Sequence, residues 1–537
     1  MSPARITPCF RHLFLMGLSL AFILGPNRNI LAQDQTAQII AQTAGGFTVS
    51  GQVVNSITGA GISRVLVKLN GWAVLTDHEG KFQFDQFSGS GANLEATKPG
   101  FYLSTDPTEG PSMSLQQAQL TVPILIRLYP EAILTGTVIA TDGEPLQHIP
   151  VIARRSIFDE SARHWLPVAQ SQTDSHGNFR LPVPPGDYRV ETRYTTQRGS
   201  EAILPVTVPA EIQSHALNGI HVGSGEEQHF DLQPAISRAY TVTARLESSS
   251  ERGFPGITAR SSTGTTIPVS FQRTPGQNEG KLQLPSGTYT LTASMFSPEG
   301  GQVRGETTVT VPDHDVSGVI VRLAPNPSIP VELIMDSSAM SDNSTPPTVQ
   351  QLGLMMMTTD TDLEGGGGIA QAETSRNGIA SFSVAPGTYR VQARSHGTWY
   401  VKSINYGDTD LLDQDMVVAP GGGGTPIRVT VSNQTGGLQG TVTLNGVPAP
   451  CWVYLIPSFP SAVPFIAVRS GSNGVYNETY LPPGNYQAIA FEHRHSADFH
   501  DAEALAAYTT HIRSVTVNEG DKSTLDLDAV TAEELVP

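Results

Sequence analysis

Apolar and polar residues alternate along this chain in short runs, each closed by a turn. Four of the runs share one preamble: Pro184-Pro-Gly-Asp-Tyr188, Pro285-Ser-Gly-Thr-Tyr289, Ala385-Pro-Gly-Thr-Tyr389 and Pro482-Pro-Gly-Asn-Tyr486. Positions two apart then stay apolar, as in Tyr188 and Val190, Tyr289 and Leu291, or Tyr389 and Val391. A period of two is the mark of a half-buried strand. Pro presets φ for the turn, and Gly supplies the positive φ that a residue with a Cβ avoids. The Tyr is expected in the core, its hydroxyl on a backbone partner. The glycines, Gly186, Gly287, Gly387 and Gly484, lie 101, 100 and 97 residues apart. So constant an interval predicts one turn-then-strand motif per small repeated domain.

Other strands and turns recur in the same order. The first unit opens with Phe47-Thr-Val-Ser-Gly-Gln-Val53, alternates again at Val65, Val67 and Leu69, and turns at Thr76-Asp-His-Glu-Gly80 before Phe82 and Phe84. Leu120 to Leu128 is expected to close it as a strand. The second unit repeats the parts as Leu134-Thr-Gly-Thr-Val138, Ile149 to Ala153, and Thr173-Asp-Ser-His-Gly177. The third unit is the most divergent, and the fourth carries the tetraglycines Gly365 to Gly368 and Gly421 to Gly424. In the fifth, Ser496 to Tyr508 has helical composition and predicts one short helix. The expected organisation is a leader over 1–32, a linker over 33–45, sandwiches over 46–129, 130–234, 235–325, 326–433 and 434–529, and a tail over 530–537. Many short strands with frequent turns make the fold class all-β: tandem Ig-like or transthyretin-like antiparallel β-sandwiches.

The order Gly-x-Val, Thr-Asp-x-x-Gly-x-Phe, Pro-Pro-Gly-x-Tyr resembles carboxypeptidase regulatory-like domains. Gly51, Val53, Thr76, Asp77, Gly80, Phe82, Gly100 and Tyr102 carry the resemblance in the first unit. In the second it rests on Gly136, Val138, Thr173, Asp174, Gly177, Phe179, Pro185, Gly186 and Tyr188. The last two units, from Trp399-Tyr-Val-Lys-Ser onward, resemble tandem arrays in secreted proteins of soil bacteria such as Acidobacteria. The resemblance implies prealbumin-like or carbohydrate-binding-like sandwiches in an exported protein. It describes a module and assigns no activity.

Composition supports this picture. The 537 residues include 52 Gly and 39 Pro, with only 15% charged, which suits turns and short strands better than long helices. Arg5, Arg11 and His12 precede the apolar run Leu13 to Gly25, which is too short for a comfortable membrane span and reads as a removed export signal. The expected location is therefore periplasmic, outer-surface or extracellular, with no transmembrane helix in the mature chain. Removing that leader takes three arginines, leaving 29 basic against 49 acidic residues. Such acidity argues against nucleic acid as a partner. Only Cys451 then remains, so no internal disulfide is available, and its place beside Trp452 predicts a buried thiol.

Candidate chemistry is sparse. Trp72, Tyr102, Trp165, Trp399 and Tyr400 are expected on loops or strand ends, where a ring could stack on a sugar face. His493 and His495 would share one face of a strand, and His500 could join them from the following helix, which is the spacing a metal site could use. The alternative for Glu492-His493-Arg494-His495 is a solvated strand end. Asp174-Ser175-His176 carries triad letters, but consecutive turn residues cannot take triad geometry. Asp77, Asp85 and Asp174 lack the spaced oxygen ladder that calcium needs. No cofactor is expected. The expected function is a non-enzymatic spacer, adhesion or interaction scaffold whose partner is a polysaccharide or a cell-surface protein; carbohydrate binding through the aromatics is the alternative.

Overall fold

A computed structural model describes residues 46–106, 111–158, 163–197, 200–209, 219–247, 256–262, 266–273, 279–296, 302–336, 346–359, 369–374, 378–394, 397–419, 421–471, 473–495, 499, 505–531 and 534. The expected leader, linker, first tetraglycine and His500 lie outside them, as does most of the expected tail. The described residues form ten sheets, and the protein is all-β in sandwich-like layers. Its buried apolar residues gather in clusters that follow the chain. One runs from Val49 to Leu128, the next from Ala132 to Leu232, and a third from Val242 to Leu323. A fourth takes Ile329 to Val431 with Ala462, and a fifth Leu438 to Ala529.

Each sandwich is built around its opening strand. In the first, Phe47–Asn55 lies antiparallel to Lys81–Phe87 on one side and parallel to Ile124–Pro130 on the other. Parallel pairing of opening and closing strands recurs as Ala132–Val138 with Glu227–Leu232 and Ile236–Glu247 with Val316–Arg322. It recurs again as Ser328–Met335 with Ile427–Ser432, and as Gly436–Leu444 with Lys522–Thr524 and Leu527–Asp528. The sandwiches are thus not purely antiparallel as the turn pattern predicts. Hairpin-like spacing reports only neighbours in sequence, whereas the parallel pair joins strands some 70 to 100 residues apart.

Three glycines show how tight this centre is. A Cβ on Gly51 would stand 2.2 Å from the Ile124 carbonyl oxygen and 2.6 Å from the Phe82 ring. On Gly136 it would meet the Phe230 oxygen at 1.7 Å and the Phe179 ring at 2.9 Å, and on Gly440 the Leu525 oxygen at 1.7 Å and the Tyr476 ring at 2.9 Å. The aromatic side chain of the antiparallel neighbour lies across the glycine. The Gly-x-Val spacing therefore records a ring seated where a side chain would stand.

A buried hydroxyl joins the second strand to the turn after the hairpin. Thr76 Oγ1 donates to the Ile62 carbonyl at 2.6 Å and accepts the Val65 amide at 2.9 Å. Thr173 repeats this on Leu146 and Ile149, and Ser470 on Ala449 and Cys451. Asp77 Oδ1 then accepts the Glu79 and Lys81 amides, as Asp174 Oδ1 does those of His176 and Asn178. Farther along, the recurring tyrosines close the Gly turn. Tyr389 donates to the Ala385 carbonyl at 2.9 Å, Tyr486 to Pro482 at 2.7 Å, and Tyr188 to Pro184. Tyr289 is buried at the matching place. The preceding glycines hold φ of 151° at Gly186 and 155° at Gly287 and Gly484; Gly387 falls outside that range.

Two local expectations change. Leu120 is not in the closing strand: Gln117–Leu120 is a single helical turn with Leu120 fully buried, and the strand begins at Ile124. Pro123 has no amide to give a ladder, so pairing starts beyond it. Of the helix expected over Ser496 to Tyr508, the described part comprises Phe499 and residues 505–508; Leu505 and Ala506 are helical, and Phe499 is buried.

The second and third sandwiches share a sheet. The hairpin Thr195–Gln197 and Glu201–Ile203, which follows the second sandwich's Gly186–Thr192 strand, pairs with the start of Ile236–Glu247. Tyr194 packs on the third core and donates its hydroxyl to the Gln283 carbonyl at 3.0 Å. A fragment beginning at Ala235 should therefore melt lower than one beginning at Arg193. Equal melting temperatures for the two fragments would show that the hairpin adds nothing to the third sandwich.

Tyr188→Ala should cost about 3–5 kcal/mol through the lost ring volume, and Thr173→Val about 1–3 kcal/mol, because it strands a buried amide and carbonyl. Calorimetry of the whole chain should show one transition falling while the others hold; a uniform shift of every transition would contradict independent cores.

Candidate functional site

The five aromatic candidates do not converge. Trp72 follows the Asn70-Gly71 hairpin turn, whose φ values of 47° and 99° suit a two-residue connection. It begins the edge strand Trp72–Leu75 and is 52% exposed. Trp165 lies on the edge strand Arg163–Gln172 of the second sandwich, half-buried, with the Arg189 guanidinium 4.0 Å above its ring. That cation occupies a face a sugar would need. Tyr102, half-buried, donates to the Pro182 carbonyl of the second sandwich at 3.4 Å.

Trp399 is a correction. It is 8% exposed and packs in the fourth core with Val401 and Ile404, so it offers no loop platform. Trp-x-Val alternation at 399 and 401 carried this signal. Tyr400, next to it, points the other way and is half-buried opposite Ser432.

The histidines also part company. The strand Gly484–Phe491 ends before them, so His493 and His495 do not share a strand face. His493 Nε2 lies 3.1 Å from the Tyr129 hydroxyl of the first sandwich and 3.7 Å from Glu492. His495 turns into a second apolar layer on the outer side of the fifth sandwich. There Tyr454, Ile456, Ile489, Phe491 and Phe499 form a cluster of their own, while their strand neighbours Val453, Leu455, Ala488 and Ala490 face the main core. The sheet is thus buried on both faces, and strict alternation is lost over residues 452–456 and 488–491.

The His495 ring stacks 4.4 Å from Phe491 and stands edge-on to Tyr508, whose hydroxyl is 3.3 Å from Nε2; its amide donates to the Tyr454 hydroxyl at 2.9 Å. Burial of the ring pushes its pKa from 6.5 down to about 4, with Asp106 opposing. Among the described residues no three His, Cys, Asp or Glu side chains are grouped as a metal would need. Asp77 and Asp174 are held below the usual carboxylate range chiefly by backbone amides, and Asp85 takes Thr48 and Gln83. Asp174-Ser175-His176 is a turn: Ser175 Oγ touches His176 Nδ1 at 3.3 Å, but Asp174 binds amides and not the ring. Cys451 is fully buried, and burial drives its thiol up to about 11, so it is held as a thiol at neutral pH.

No family model matches the chain, and no curated protein does. Solved structures give distant likenesses. A Bacillus anthracis protein named TIE aligns at 12% identity over 52% of this chain and 50% of its own, with a TM-score of 0.17. The chain therefore spans about half the length of that structure. The minor pilin of Streptococcus agalactiae aligns at 11% over 35% of this chain and 96% of its own, TM-score 0.22. The major pilin subunit of Bacillus cereus aligns at 10% over 74% and 100%, TM-score 0.14. At such scores these likenesses carry nothing about role; the fold class rests on the chain's own sheets.

A buried His with a depressed pKa makes stability depend on pH in a fixed direction. Above the unfolded value near 6.5 the folded form is at no disadvantage. Below it the unfolded chain takes up a proton that folded His495 refuses, so stability falls as pH drops toward about 4. The loss should reach up to about 3 kcal/mol. In melts between pH 7.5 and 4.5, His495→Phe should flatten the slope of the fifth-sandwich transition. An unchanged slope in that variant would remove His495 as the cause.

Proposed function

We propose that this chain is a non-enzymatic exported scaffold, five tandem sandwiches bounded as 46–129, 130–234, 235–325, 326–433 and 434–529, of the carboxypeptidase regulatory-like kind. The observation that carries the reading is where the recurring polar groups are spent. The hydroxyls of Thr76, Thr173 and Ser470, the carboxylates of Asp77 and Asp174, and the phenols of Tyr188, Tyr389 and Tyr486 each bind main chain of their own sandwich. What repeats is the means of folding, and the surfaces between repeats are left to differ. Parallel opening and closing strands bring the chain in at one end of each sandwich and out at the other, which suits units strung in series.

The role that follows is adhesion or spacing outside the cytoplasm, with a cell-surface protein or a polysaccharide as partner. Carbohydrate is the second reading, favoured by the exposure of Trp72 alone among the tryptophans. Trp72 is also the place where a sugar face has room to stack.

Purified chain should bind whole cells or polysaccharide in a pull-down without turning over peptide, ester or glycoside substrates. Under the carbohydrate reading, Trp72→Ala should weaken polysaccharide binding at least tenfold, while Trp399→Ala should lower stability first. Stoichiometric zinc in the purified protein, or hydrolysis lost with the His493 and His495 side chains, would overturn the scaffold reading.

A further inference from the structure

Glu492, His493 and Arg494, one consecutive tripeptide at the end of the strand Gly484–Phe491, all reach the first sandwich. Glu492 Oε1 lies 3.5 Å from Arg127 Nη1, and His493 Nε2 lies 3.1 Å from the Tyr129 hydroxyl with the two rings edge to face. Arg494 Nε lies 3.9 Å from Asp106 Oδ2, and its guanidinium also sits 5.7 Å from the Trp452 ring centre. Arg127 and Tyr129 are two apart on the closing strand Ile124–Pro130, so both project from the same face. The carboxylate side chains are only 10% exposed at Asp106 and 17% at Glu492, whereas Arg127 is 51% exposed and Arg494 45%. Each acid is thus covered in a contact whose bases remain in water.

From this we infer that the first and fifth sandwiches clasp each other, and that the clasp is a reversible electrostatic latch between a closed and an extended form. The inference is independent of what the scaffold binds. Three features make the contact releasable. The ion pairs and the tyrosine–histidine contact across it are polar or charged, and among the described residues no apolar cluster contains residues of both the first and the fifth sandwich. The junction of the second and third sandwiches is the contrast, with a backbone ladder and the inserted Tyr194 holding it. The bases of both ion pairs, half in water, are also screened by salt, with a Debye length of about 8 Å at 0.15 M and about 3 Å at 1 M.

Residues 102–106 connect this latch to the rest. Tyr102 binds Pro182, the Thr105 carbonyl accepts Arg155, and Asp106 meets Arg494. One short segment of the first sandwich therefore touches both its sequence neighbour and the far end of the chain.

Small-angle scattering of the full chain tests this with the variants Arg127→Glu, Glu492→Arg and the two combined. At low salt the wild type should be closed, and in 1 M NaCl its radius of gyration and maximum dimension should rise, since folded sandwiches strung in a row spread their mass farther than the same sandwiches folded back on each other. Each single reversal should give the larger radius at low salt with its thermal transitions retained, so that opening is told apart from unfolding. The double reversal should restore the wild-type radius. A radius indifferent to salt and to both single reversals overturns the latch, as does a wild type already extended at low salt or a double reversal that stays open.

Discussion

The centre of each sandwich depends on one close approach, the opening strand held between an antiparallel neighbour and a parallel closing strand. At Gly51, Gly136 and Gly440 the carbonyl of the closing segment and an aromatic ring from the other side leave no room for a methyl group. The closing strand pairs across the largest loop of the unit, some 70 to 100 residues. Its pairing is therefore the most non-local contact in the unit and the one with the largest loop-closure cost. It also fixes the direction in which the chain leaves, which is what allows one sandwich to follow another.

Around that centre the polar residues of the motif act as fasteners. A buried hydroxyl that both donates and accepts satisfies two main-chain groups that would otherwise be stranded where the strands diverge. Thr76 and Thr173 do this directly, and Ser470 does it in the fifth sandwich with a different neighbouring turn, Gly471 and Asn473 standing where Asp is found earlier. Repetition in this chain thus marks a physical requirement of the fold. Side chains that differ between units, such as exposed Trp72 or the Glu492-His493-Arg494 tripeptide, are the ones left over for contact.

Two of the contacts between sandwiches differ in their mechanical consequences. The second lends a hairpin to the sheet of the third, so main-chain hydrogen bonds and buried Ala202 and Ile203 couple them. The fifth meets the first through ion pairs and a tyrosine–histidine contact at partly wet surface. Backbone ladders resist salt, whereas ion pairs whose bases stand half in water are weakened by it. The junction of the second and third sandwiches is accordingly stiff, and the contact of the first with the fifth is switchable.

By itself the sequence determined the class of fold, because period-two alternation and glycine turns act through neighbours in the chain. It marked the Thr-Asp-x-x-Gly turns, the buried tyrosines and the turn identity of Asp174-Ser175-His176 for the same reason. It could not determine what lies across a sheet or between sandwiches. Trp399 went to a core, Trp165 under Arg189, and His493 and His495 to opposite surroundings, since a side chain's direction near a strand end is set by what packs there. The parallel closing strands, the shared sheet of the second and third sandwiches and the meeting of residues 106–129 with 492–494 were likewise decided only in three dimensions. These join residues tens to hundreds of positions apart, and no local pattern encodes so distant a partner.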